Sequence, residues 1–100
     1  MLSKPTWDDV DTVYDRMRAH GLLRVRASPG STMGHFFSIA VFGRATIREH
    51  PGTSLDAILE DYCKWKNINV NVLFAKYHII RHREGALQPD PRATLEMLMR

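Results

Sequence analysis

Cysteine is nearly missing from this chain: Cys63 is the only one among 100 residues, so no internal disulfide can staple the fold. A chain without staples fits a reducing compartment, and the cytoplasm is the expected location. Long apolar runs are missing as well. Nothing approaches the ~20 residues that a membrane-spanning helix needs, and the opening MLSKPTWDDVD holds no signal-peptide apolar segment. No membrane partner is expected. Enzyme signatures are also absent, with no G-x-S-x-G element, no paired acidic motif and no dinucleotide fingerprint. The reading is therefore a non-enzyme without a cofactor.

Acid is the scarcity that says most about partners. No carboxylate lies between Asp15 and Glu49, where Arg16, Arg18, Arg24, Arg26, Arg44 and Arg48 all occur. None lies between Asp61 and Glu84 either, a stretch holding Lys64, Lys66, Lys76, Arg81 and Arg83. Acid gathers instead at Asp8, Asp9, Asp11 and Asp15, and again at Asp56, Glu60 and Asp61. The net charge of +3 is mild, but a fold that gathers the cationic runs would create one basic face.

What is present is the composition of a folded protein: 44% hydrophobic and 25% charged residues in a length typical of one domain, residues 1–100. Thr6 followed by Asp9 forms a capping box for a first helix, with Trp7, Val10, Val13, Tyr14 and Met17 as its apolar stripe and Gly21 at its end. Leu22 to Ala27 alternates like a strand, with Arg24 and Arg26 outward. Phe36 to Phe42 reads as a central strand rich in Phe, Ile and Val, and Gly43-Arg44 as a reversal into a shorter strand from Ala45 to Glu49. Thr53 then caps a helix with Leu55, Ile58, Leu59 and Tyr62 on its apolar face.

The expected fold is α+β, a three-stranded antiparallel sheet covered on one face by helices in the order α-β-β-β-α-α-α. Residues 68–83 read as a helix, with a fourth strand as the rival. Gly85 would cap that helix, and Asp90-Pro91 would open a short terminal helix burying Leu95, Leu98 and Met99. Pro29 to Gly34 (PGSTMG) is expected to be a hairpin loop and not a phosphate cradle. A strand should follow it, and His35 stands where a P-loop has lysine.

The order helix, three strands, helix over residues 6–66 resembles that of double-stranded-RNA-binding domains. The resemblance implies a lysine cluster opening the second helix and gripping phosphate. Thr53, Ser54, Leu55 and Asp56 stand there instead, so that function is not carried over.

Lys64 to Arg83 combines five cations with Trp65, Phe74 and Tyr77 and contains no carboxylate. As a helix it would follow the Thr53–Lys66 helix after an Asn-rich turn, a helix-turn-helix arrangement. Asn69, Asn71 and Lys76 would then lie early on the second helix, where base edges are read, and Arg81 and Arg83 could reach phosphates. His78 and His82, four apart, could share a metal if His50, Cys63 or His35 supplied a third ligand.

The reading that results is a small non-enzymatic binding protein. Its basic, partly aromatic surface (Arg24, Arg26, Arg44, Arg48, Lys64, Lys66, Asn69, Asn71, Lys76, Arg81, Arg83) would contact nucleic acid or an acidic patch of a nucleoprotein complex. The alternatives are an inhibitor that acts by protein contact on a larger nucleic-acid machine, as anti-CRISPR and other phage-encoded proteins do, and a His-based metal site.

Overall fold

The apolar run from Phe36 to Phe42 lies inside a helix. The computed structural model describes residues 2–23, 28–85 and 90–100, and shows five helices: α1 (Trp7–Ala19), α2 (Thr32–Glu49), α3 (Leu55–Lys66), α4 (Val70–Arg83) and α5 (Pro91–Met99). No strand occurs among the described residues, so the three-stranded sheet and the α+β class are corrected to an all-helical fold. Leu22 and Leu23 belong to no strand. The rest of that expected strand, with Arg24 and Arg26, lies outside the described residues.

The physical reason for the correction is the position of α2. It packs against all four other helices, and buries Phe36, Ile39, Ala40, Val41, Ala45 and Thr46. A helix covered on most sides is apolar most of the way round and loses its 3.6-residue period. A continuous apolar run of that kind cannot be told from a buried strand by pattern. Gly43 is not a turn. It sits mid-helix where α5 and α3 come closest: a Cβ there would overlap Met99 Sδ and stand 3.2 Å from Ile58 Cγ2. Its missing side chain is what lets the helices pack at that distance.

The helix ends follow local chemistry. Thr6 and Asp9 form the expected capping box. Gly21 closes α1 in the left-handed region at φ 65. Leu22 N–H donates to Met17 O at 2.8 Å and Gly21 N–H to Arg18 O at 3.1 Å, the paired bonds of a Schellman end. Ser54, not Thr53, caps α3 by accepting from Ala57 N–H at 3.1 Å. Thr53 instead donates to His50 O at 2.7 Å. Asn67 ends α3 in the left-handed conformation and Asn69 caps α4, which explains why this turn is rich in Asn. Asp90 caps α5 with Pro91 in its first turn, and Leu95, Leu98 and Met99 are buried as expected.

Two tyrosines anchor the core by their rings and satisfy their hydroxyls at its edge. Tyr77 stacks on Phe36 with centroids 4.3 Å apart, and its hydroxyl meets Thr94 Oγ1 at 2.9 Å. Tyr62 meets His35 Nδ1 at 2.9 Å. Pairing each buried hydroxyl avoids the cost of an unsatisfied polar group. The α1 stripe departs from expectation, since Val13 and Met17 are buried while Trp7 and Tyr14 face outward. The third buried position of α1 is a carboxylate, Asp9, fully enclosed.

Candidate nucleic-acid interface

The expected cationic residues divide into two groups. Arg44 and Arg48, on α2, turn toward α1. Arg48 Nη1 lies 2.6 Å from Asp9 Oδ1 and Arg44 Nε 3.2 Å from the same oxygen, with Asp8 Oδ2 3.8 Å from Arg44 Nη2. Arg44 and Arg16 also donate to the backbone oxygen of Arg100, and Arg16 to that of Leu98 at 3.2 Å, where α5 presents its negative end. The Arg48 guanidinium holds the Asp9 carboxyl down at about 2, with Thr6 bonds adding to the effect. Arg44 and Arg48 are thereby tied to internal acid. Arg81 is likewise bound, its Nη1 2.6 Å from Glu84 Oε2.

The second group surrounds the connection from α3 to α4. Lys64, Trp65 and Lys66 occupy the last turn of α3 and are exposed. Trp65 rests its edge on Phe42 and Tyr62, at 5.2 and 5.9 Å between centroids, and Lys66 Nζ sits 4.1 Å from its ring centre. Lys64 points about half a helical turn away from Lys66. Asn69 caps α4, its Oδ1 accepting from Asn71 N–H at 2.8 Å and Val72 N–H at 3.2 Å. Asn71, Lys76 and Arg83 stand exposed along α4.

A cleft of about 300 Å³ opens between the start of α2 and the start of α4, bounded by Gly30, Thr32 and His35 on one side and Asn69, Val72 and Lys76 on the other. Burial lowers the His35 pKa, and the charges of Lys66 and Lys76 lower it further; of the two lysines, Lys76 lines the cleft. Each wall comes from one of the two acid-free stretches, and no carboxylate lines the cleft. At its two edges Ser31 and Asn69 cap α2 and α4, taking up the Gly34, Asn71 and Val72 amides.

PGSTMG is therefore a loop into a helix and not into a strand: Ser31 caps α2 by accepting from Gly34 N–H at 3.1 Å. The lysine of a P-loop remains absent at position 35. Sequence reasoning weighed His35 only as a metal ligand or as a departure from a motif. Its place opposite Lys76 depends on tertiary packing.

Gly34 keeps this wall in place. A Cβ there would overlap the Ser28 backbone oxygen and sit 3.0 Å from that of Pro29, and backbone yields less readily than a side chain. Gly34→Ala is expected to cost about 1–3 kcal/mol despite alanine's better helix propensity, measured by urea titration.

The thiol and metal readings gain no support from geometry. Cys63 is buried, which pushes its pKa up and keeps it protonated. His78 and His82 stack with centroids 6.2 Å apart. Among the described residues no group of three His, Cys, Asp or Glu is placed to hold a metal.

No helix among the described residues is long and apolar enough to cross a membrane. The chain matches no protein-family model, no curated protein and no solved structure.

Proposed function

We propose that this protein is a non-enzymatic nucleic-acid-binding module whose contact surface is the α2–α4 cleft and the adjoining end of α3. The observation that carries the reading is the carboxylate-free cleft lined by His35 and Lys76, with Lys66 in the last turn of α3. Phosphate groups are the ligands that such a cationic setting attracts most strongly. Trp65, half exposed beside Lys66, offers a flat apolar surface on which an unpaired base can stack.

Contact with phosphate releases counterions, so affinity for a mixed DNA or RNA probe should fall steeply with salt. Lys66→Ala and Lys76→Ala should each weaken binding and reduce the log–log salt slope by about 0.7–0.9, in fluorescence anisotropy titrations at several ionic strengths. Lys4→Ala is the control. Ser3, beside it, bonds to Thr46 on α2, about 18 Å along the axis from Gly34. No binding at low salt, or equal losses from all three variants, would remove the reading.

A further inference from the structure

α1 and α4 each carry an outward stripe at the spacing i, i+4, i+7, i+11, and the two stripes complement one another. On α1 the positions are Trp7, Asp11, Tyr14 and Arg18, with Asp8 and Asp15 alongside. On α4 they are Val72, Lys76, Ile79 and Arg83. At 100° per residue each set falls within about 60° of arc, so each is a true ridge. Both ridges expose apolar surface that a monomer normally covers: Trp7 is 82% exposed, Tyr14 37%, Val72 52% and Ile79 50%. The α1 ridge carries excess acid, whereas α4 from Val70 to Arg83 contains no carboxylate.

The ridges cannot meet within one molecule. α1 packs on α2 and α5, while α4 packs on α2, α3 and α5 through Leu73 and Tyr77; Val72 and Lys76 also edge the α2–α4 cleft, and Ile79 and Arg83 continue their exposed line along α4. We infer that the chain associates head to tail with a second copy of itself, the acidic-aromatic ridge of α1 lying on the basic-aliphatic ridge of α4 of the next copy. Aromatic and aliphatic side chains supply the contact, and opposite charge sets partner and register. Two different surfaces meet, so the association is heterologous and adds copies without closing at two. A ridge of three turns buries little area, which makes the contact weak and salt-sensitive.

Sedimentation at low salt, from micromolar to near-millimolar chain, tests this. The weight-average mass should pass through roughly twice the monomer and keep rising. Asp11→Lys with Asp15→Lys should abolish the rise, and so should Lys76→Glu with Arg83→Glu. An equimolar mixture of the two variants should restore it, because the reversed α1 of one then faces the reversed α4 of the other. Circular dichroism of each variant establishes that loss of association is not loss of folding. A constant monomer mass would overturn the proposal and leave the α4 ridge to a different partner. So would a mass that stops at the dimer, or folded variants that stay monomeric when mixed. Nucleic-acid binding needs neither Asp11 nor Asp15, so the first variant separates failure here from failure of the proposed function.

Discussion

Asp9→Ala is expected to destabilise the protein by about 2–3 kcal/mol, the sum of the lost ion pair and the lost cap, lowering Tm by something on the order of 15 °C. One carboxylate, with no exposed surface, serves two parts of the fold. Oδ2 accepts from Thr6 N–H at 2.8 Å and from the Thr6 hydroxyl at 3.1 Å, closing the capping box. Oδ1 receives Arg48 at 2.6 Å and faces Arg44 at 3.2 Å. Alanine leaves two guanidinium groups without their buried counter-charge and an N–H without its acceptor. Both arginines keep some contact with solvent, Arg48 more than Arg44, so water takes up part of that loss.

The pH dependence gives a sharper test of the same residue. Asp9 titrates at about 2 in the fold, down from 3.8, so its folded-state pKa is depressed. The stability it contributes is fully present above pH 4 and is lost as pH falls through 2. The shift corresponds to roughly 2 kcal/mol. Urea titrations of wild type and Asp9→Asn should therefore differ most at neutral pH and converge toward pH 2. A gap that stays constant across that range would mean the carboxylate's charge is not what holds α1 to α2.

The two halves of this cluster differ in how readable they are from sequence. The cap is local: Thr6 and Asp9 are three residues apart, and their pattern states the interaction. The ion pair joins residues 39 apart, and nothing in a list of charges assigns Arg48 to Asp9. The same contrast holds throughout the chain. Gly21, Gly85, Asp90 and Pro91 mark helix ends because backbone chemistry acts within a few residues. α3 is readable because one side faces the core through Ile58, Leu59 and Tyr62, while Asp56 and Glu60 stay outside. α2 is not, because burial on most sides removes the polar face that would reveal its period.

The two acid-free stretches are gathered only in part by the fold. Both acid-free stretches do meet, but they meet at the Gly30–His35 wall and Lys76. Arg44 and Arg48 lie on the far half of α2 and meet the acid of α1. A charge run along a helix 18 residues long spans about 27 Å, so its two ends serve different neighbours.

Phe36→Ala is expected to cost about 3–5 kcal/mol, against no more than about half of that for Phe37→Ala. A strand would set Phe37 among Ile39 and Val41 on one face and Phe36 on the other. The helix reverses their importance, enclosing Phe36 completely and leaving Phe37 half-buried. Phe36 stacks on Tyr77 with planes 5° apart and meets Phe74 edge-on at 6.1 Å, contacts worth about 0.5–1.5 kcal/mol beyond burial alone. Its loss opens a cavity between α2 and α4 and frees the ring whose hydroxyl reaches α5. Because His35 precedes it and Lys76 precedes Tyr77, the cleft walls should loosen together. Folded Phe36→Ala should then bind a nucleic-acid probe more weakly than Phe37→Ala does. Paired denaturant and anisotropy titrations of the two variants decide it. Equal destabilisation by both would contradict the helical placement of residues 32–49, and unchanged binding by Phe36→Ala would place the contact surface away from the α2–α4 seam.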